Sequence, residues 1–173
     1  MTPATFQTLL ESTLARYERR LVGYAFSVLG NREEARDAAQ ETLMKLCRLE
    51  PDTYEREVAA HLEAWLFTVC RNAALDRLRK NRRMFNTGDG TPSPTDQTPT
   101  PAQAAETHEE ACRAAAFVLD LSKRQQEVIH LKFHANLSYE QIAKVTGMTV
   151  NNVGVTLHLA LKSLRKKMEE GSK

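Results

Sequence analysis

Aromatic residues make up only 6% of this 173-residue chain. It also contains no apolar run of the roughly 18 residues that a membrane-spanning helix needs. Its opening, MTPATFQTLLEST, lacks the basic-then-apolar build of a signal peptide. Membrane insertion is therefore not expected. Cysteine is scarce: Cys47, Cys70 and Cys112 are an odd number, far apart, with no CxxC or Cys/His metal spacing. They read as small core or half-buried residues of a reducing cytoplasm. No sign of charge dominates, since the net charge is only +2. Nothing global demands a polyanionic partner, so what matters is where positive charge clusters. The histidines, His61, His108, His130, His134 and His158, are scattered. No HExxH, glycine-rich phosphate loop or Ser/His/Asp arrangement is present. His130 and His134 are one turn apart, the spacing of a weak metal site, but no third ligand is near. Neither an enzyme nor a metal or other cofactor is expected.

What the chain has in abundance is helix formers, Ala, Leu, Glu, Arg, Lys and Gln, which point to an all-α protein. An apolar content of 42% with 27% charged residues is ordinary for a globular chain. Its length suits one ordinary domain or two small ones.

The most informative stretch is Leu62 to Arg83. Leu62, Trp65, Leu66, Val69, Ala73, Leu75 and Leu78 recur at three- and four-residue steps, a stripe one helix face can bury. Trp65, at an inward phase, reads as core rather than as a stacking platform. The second half turns basic: Arg71, Arg77, Arg79, Lys80, Arg82 and Arg83 stand against a single Asp76. A helix packed by one face and cationic at its end suits a polyanion. The alternative is a solvated helix end whose arginines favour the negative dipole terminus.

Before it, Phe6 to Leu29 reads as a helix or helix pair, with Phe6, Leu9, Leu10, Leu14, Tyr17, Leu21, Tyr24, Ala25 and Val28 as its stripe. Gly30 is a helix stop. Asn31 with Glu34 is a capping-box pattern that opens a helix over Arg32 to Arg48. That helix carries Ala35, Ala38, Ala39, Leu43, Leu46 and Cys47 inward and shows Glu33, Glu34, Asp37, Gln40 and Glu41 outward. Pro51 is expected to end it, and Leu49 to Ala60 reads as an ordered loop.

After Arg83 the composition changes. Asn86 to Ala105 holds four prolines, two glycines and many threonines, with no aliphatic residue larger than alanine. It cannot bury enough apolar surface to offset the entropy of ordering it, and reads as a flexible linker. The expected plan is therefore two small helical domains, residues 1–85 and 106–173, joined by a linker over 86–105.

The second domain resumes with a helix from Glu106 to Leu121 through Ala111, Ala115, Val118 and Leu119. Ser122 with Gln125 is a further capping box, opening a helix through Val128, Ile129, Leu131 and Phe133. Ser138 with Gln141 is another, before a short helix holding Ile142, Ala143 and Val145 that breaks at Gly147. Thr149 caps the last helix, Val150 to Met168, with Val153, Leu157, Ala160, Leu161 and Leu164 inward. Leu137 to Leu164 thus has the parts of a helix-turn-helix, whose second helix places its first turns against base edges in the major groove. The candidate DNA-facing residues are Ser138, Tyr139, Thr149, Asn151, Asn152, Val155, Thr156, His158 and Lys162. No Lys or Arg precedes Lys162 on that helix, so bidentate guanine contacts are missing from its first turns. Asn151 and Asn152 suit adenine, and Val155 or Thr156 suits a thymine methyl. Alternatively, Val155 and Leu159 face another protein. Arg165, Lys166 and Lys167 come late and suit phosphate.

Three stretches in order resemble the extracytoplasmic-function (ECF) sigma factors of the sigma-70 family, the two-domain initiation subunits of bacterial RNA polymerase. They are GNREEARDAAQETLMKLCR from Gly30 to Arg48, AWLFTVCRNAALDRLRKNRR from Ala64 to Arg83, and LSYEQIA from Leu137 with Gly147, Val153, Leu157, His158 and Ala160. The resemblance implies a region 2-like helical bundle and a region 4-like helix-turn-helix. It implies that Asp37, Gln40 and Glu41 dock on the clamp helices of the polymerase β′ subunit. Arg71, Asn72, Arg77, Arg79, Lys80, Arg82 and Arg83 would hold and help open the −10 promoter region. The Leu49 to Ala60 segment would capture a flipped-out base. The second domain would read the −35 element and sit near the β flap, and an anti-sigma protein would regulate the whole in a bacterial cytoplasm. Where family members often carry Lys or Arg, this chain has Gly154, Thr156 and Leu159. Binding by the second domain alone is accordingly expected to be weak and to need a partner or the β flap. A stand-alone helix-turn-helix regulator is the competing reading; it accounts for the second domain but not for the Asp37, Gln40 and Glu41 set beside the basic helix.

Overall fold

Gly30 and Gly147 adopt positive φ, 70° and 72°, and each ends a helix. At Gly147 an added Cβ would meet nothing within 4 Å, so the demand there is for left-handed backbone and not for space. The computed structural model describes residues 2–86 and 117–170, and all regular structure among them is helical. The first lobe comprises α1 (Pro3–Leu29), α2 (Arg32–Cys47), α3 (Pro51–Glu57), a 3₁₀ turn (Ala59–His61) and α4 (Leu62–Asn86). The second comprises one helical stretch at 117–119, α5 (Lys123–Ile129), a π-helical turn (His130–His134), α6 (Tyr139–Thr146) and α7 (Val150–Glu170). The expected linker at 86–105 and nearly all of the expected helix from Glu106, with Cys112, lie outside the described residues.

Local sequence sets most of the helix boundaries. Asn31 caps α2 by accepting from the Glu34 N–H at 3.1 Å. Ser122/Gln125 and Ser138/Gln141 each form the reciprocal capping box, both side chains satisfying a backbone N–H of the other's end. Thr149 caps α7 through the Asn152 N–H at 3.2 Å. Expectation fails at Pro51. This proline begins α3 instead of merely closing α2, because its fixed φ and missing N–H cost nothing in a first helical turn. The expected loop from Leu49 to Ala60 is therefore mostly helix, with Tyr54 buried against Phe6 at a ring separation of 5.4 Å.

In the first lobe α1 and α2 pair through Ala35, Ala38 and Ala39, all buried, whose small side chains allow close approach. α4 lies across both. Leu21, Tyr24, Leu46, Leu66 and Phe67 are fully buried, each contributing roughly 1.5–3 kcal/mol. Tyr24 and Phe67 meet edge to face at 5.5 Å. The buried stripe of α4 is rotated from the expected one: Ala64, Phe67, Cys70 and Ala74 join Leu66 and Ala73, while Trp65 is half-buried against the core. On α2, Thr42 is inward and Cys47 exposed, the reverse of the expected Cys47. Thr42 is tolerated because its hydroxyl donates to the Ala38 carbonyl at 2.8 Å. Three expected stripe residues of the second lobe are also exposed, Leu119 among them at 64%, just before the turn that leads into α5. The π turn adds a residue to its coil, which swings Phe133 outward to 57% exposure. Leu161 is 42% exposed, because α7 buries only the narrow row Val153, Leu157 and Ala160.

The lobes pack on one another, α4 against α6 and α1 against α5 and the π turn. Glu127 of α5 is the centre of this seam. It accepts from Arg71 at 2.7 and 3.4 Å and from the Tyr24 hydroxyl at 2.8 Å. Glu63 accepts from Tyr17 at 2.7 Å and from Gln141 of α6 at 3.4 Å, and Arg20 lies 3.6 Å away. Arg20 also donates to the Ala135 carbonyl.

Candidate nucleic-acid and polymerase interfaces

The cationic set of α4 divides in two by position. Arg71, in the middle of the helix, is half-buried and held by Glu127, whose carboxylate raises the guanidinium's pKa. Arg77 is half-buried and donates to Glu41 at 2.9 Å and to the Ala73 carbonyl at 3.3 Å. Asn72, Arg79, Lys80, Arg82 and Arg83 are exposed. Arg79 meets Asp76 at 2.9 Å, but both side chains are about two-thirds exposed, so the pair is easily given up. The helix end is thus an exposed cation cluster, with Asp76 paired to Arg79. It is suited to phosphates and blind to sequence.

The acidic face of α2 divides similarly. Glu41 is tied by Lys45 at 3.0 Å and by Arg77 on α4, and these contacts, Lys45 first, hold its carboxyl below the usual carboxylate range. Glu34 accepts from Asn81 at 2.8 Å. Asp37 and Gln40 remain exposed. Gln40 opens on a groove of about 1050 Å³ between α1 and α2, whose apolar lining includes Val22, Phe26, Leu43 and Met44. Arg19, Arg32, Arg36 and Arg48 also line this groove against the single acid Glu18. It is therefore the exposed Asp37 and Gln40 on α2, and not the groove, that suit a basic partner.

In the second lobe Asn151, Asn152, Val155, His158 and Lys162 are exposed on α7, and Thr156 is half-buried. Ser138 and Thr149 are committed to capping. The Tyr139 ring lies over Gly154, where a Cβ would sit 3.7 Å from it, and Lys132 stands 5.4 Å from the ring centroid. Within the 49–60 segment Asp52 is exposed, whereas Tyr54 is buried and unavailable for base stacking.

Other ionisable groups serve the packing. Burial, then the Glu127 carboxylate, pushes the Tyr24 phenol well above its ordinary value. Burial pushes the Cys70 thiol up to about 12, leaving it an inert core group that donates to the Leu21 carbonyl at 3.7 Å. Burial, with the neighbouring His134, lowers His130 to about 4. The His130 and His134 rings stand 4.6 Å apart, and among the described residues no group of three metal-ligating side chains gathers there. No described helix is long and apolar enough to cross a membrane.

Sequence reasoning missed Glu127, Glu63 and Arg20. The one available signal was Tyr24: a phenol at a buried phase needs a polar partner. Nothing in the sequence says that the partner stands 103 residues away.

Comparison with known proteins covers both lobes. Residues 13–84 match the model of Sigma-70 region 2, and residues 115–164 match that of Sigma-70, region 4. The chain is 32% identical over 151 residues to the ECF RNA polymerase sigma factor SigL of Mycobacterium tuberculosis, covering 85% of this chain and 81% of that one. It is 35% identical over 135 residues to the ECF RNA polymerase sigma factor EcfG of Rhodopseudomonas palustris, covering 77% and 70%. Among solved structures it resembles the sigma factor RpoE in complex with the anti-sigma factor NepR from Bartonella quintana. The TM-score is 0.73 at 26% identity, over 92% of this chain and 96% of that one. It shares its fold with CnrH in complex with the cytosolic domain of CnrY, at TM-score 0.59 and 22% identity over 95% and 90%.

Proposed function

The chain belongs to the extracytoplasmic-function family of RNA polymerase sigma factors, and from that premise we propose how its residues divide the work of initiation. As a sigma factor it binds core RNA polymerase, directs it to promoters and helps open the DNA. The first lobe, residues 1–85, docks on the β′ clamp helices through Asp37 and Gln40, which are exposed on the outer face of α2. Glu41 acts from behind by fixing α2 to α4 through Arg77. The end of α4, Asn72 with Arg79, Lys80, Arg82 and Arg83, holds the −10 strands by their phosphates. Residues 106–173 dock on upstream duplex near the β flap, and 86–105 link the two. The chain does no covalent chemistry of its own and works in the bacterial cytoplasm beside its polymerase.

The observation that carries this reading is the placement of the exposed cation cluster of α4 in the same lobe as the exposed Asp37 and Gln40. One bundle thereby offers a protein-docking face and a phosphate-holding end.

The closed arrangement implies a switch. Arg71 reaches DNA only when Glu127 releases it, so the lobes part when polymerase and promoter are engaged. A regulatory protein of the anti-sigma kind gains by holding them together. Support comes from the RpoE relative, whose likeness to this chain at TM-score 0.73 extends over both lobes and was seen with NepR bound.

The test is core binding by the Asp37→Arg, Gln40→Ala double variant. Both residues are exposed, so native helicity is expected with core affinity abolished. Unchanged affinity with native helicity would refute the docking assignment.

A further inference from the structure

The first three turns of α7 present an unusual face for a helix aimed at DNA. From Val150 to Leu161 there is no lysine or arginine. Val155 is 50%, Leu159 49% and Val150 43% exposed, with Asn151 and Asn152 exposed at the leading end. Val150, Asn151, Val155 and Leu159, with Tyr139, Gly154 and His158, line a shallow hollow of about 490 Å³, and Asn152 is exposed outside that lining. Gly154 is not forced by space, since an added Cβ would make only ordinary contacts with the Tyr139 ring at 3.7 and 4.0 Å. Its missing side chain instead leaves the hollow open between Asn151 and Val155. Cations stand at the margins: Lys162 one turn beyond His158, then Arg165 and Lys166, and Lys132 beside the Tyr139 ring.

From this placement we infer that α7 reads an A·T-rich upstream element through thymine methyl groups and adenine edges, with no bidentate guanine contact. The inference rests on the reading that α6 and α7 dock in the major groove, and it adds which bases they select. Guanine presents two acceptors there, which call for the paired donors of Arg or Lys. The hollow has none, and His158 offers a single donor at a time. Adenine presents one donor and one acceptor, which an Asn carboxamide matches at both ends, so Asn151 in the hollow is the first adenine reader and the exposed Asn152 beside it the second. Thymine alone carries a C5 methyl, and an open apolar hollow rimmed by Val150, Val155 and Leu159 is where such a group loses its water. The marginal cations give the phosphate contacts that hold duplex DNA over this apolar floor. That charge pattern, together with the asparagine pair, favours DNA over a protein as the occupant.

The experiment uses the full chain with core polymerase on promoters randomised upstream, followed by single thymine-to-deoxyuridine replacements in the selected element. Deoxyuridine pairs as thymine does and lacks only the methyl. Enrichment of A·T pairs is expected, with promoter occupancy falling about fourfold for each contacted methyl removed. Val155→Ala, at an exposed position, should erase the penalty at one thymine, and Asn152→Ala should relax one adenine. Enrichment of guanine, or indifference to deoxyuridine throughout, overturns the inference. So does the absence of any upstream preference, which would assign the apolar face to a protein partner. In these cases transcription from the selected promoters continues and the sigma function stands. Transcripts no different from those of core polymerase alone on every promoter of the pool would overturn that function and this inference with it.

Discussion

The two helices proposed to meet DNA, α4 and α7, are built on opposite plans. α4 buries Leu66, Phe67, Cys70 and Ala74 in its first half and ends in Arg79, Lys80, Arg82 and Arg83. α7 is buried along Val153, Leu157 and Ala160, and its outward face is apolar and amide until Lys162. A cationic end attracts any phosphate backbone and weakens steeply with salt. An apolar, amide-bearing face adds little attraction at long range but distinguishes one base edge from another. On the proposed roles, the contrast separates grip from choice: melting would fall to a helix whose charges do not read sequence, and reading to a helix that does not hold strongly by itself. The expected weakness of the second lobe alone follows from the same division.

The comparison can be broken first at the cations. Replacing Arg79, Lys80 and Arg82 by alanine removes about three phosphate contacts. The salt slope of promoter opening should fall by about 2 and affinity at physiological salt by tenfold to a hundredfold. An unchanged slope would show that α4 does not grip by charge. Next is the seam, which hides the inner cation of α4. Glu127→Ala strands Arg71 and the Tyr24 hydroxyl, and for this half-buried set the cost is about 2 kcal/mol, or a fall of roughly 5 °C in melting temperature. X-ray scattering should then show a larger radius of gyration, and Arg71 should add one phosphate contact to the slope.

A smaller effect comes from His130, which packs its ring against Tyr24 at 5.9 Å across the seam. Its folded-state pKa, lowered to about 4, lies below the ordinary value of 6.5. Between those values the unfolded chain binds a proton that the folded chain refuses, so stability falls as pH drops from 6.5 toward 4. About 1 kcal/mol should be lost between pH 7 and pH 5.5, and the slope should flatten in His130→Gln. The smallest effect belongs to α7. Val155→Ala should cost about fourfold in upstream binding, and the loss should be the same at low and high salt, the opposite of the α4 variants.

Much of this architecture was legible because its signals are local. The capping boxes at Ser122/Gln125 and Ser138/Gln141, the stops at Gly30 and Gly147 and the basic run of α4 each lie within one or two helical turns. What escaped depends on context. Pro51 can stop one helix or start another, and only the packing of Tyr54 on Phe6 decides. Phe133 keeps a helical phase in the sequence, yet a π turn rotates it to solvent. In the candidate site the charges were visible but their partners were not. Arg71 and Arg77 read as DNA contacts beside Arg79 and Lys80, while Glu127 and Glu41 stand 56 and 36 residues away and engage them. Ion pairs between distant elements leave no periodic trace, so sequence exposes the cations and tertiary structure decides which are available.

Run-off transcription with purified core polymerase and a pool of promoter fragments tests the central claim most directly. The account predicts transcripts with defined starts that appear only when this chain is added and vanish with the Asp37→Arg, Gln40→Ala variant. Transcripts identical to those of core polymerase alone would contradict it.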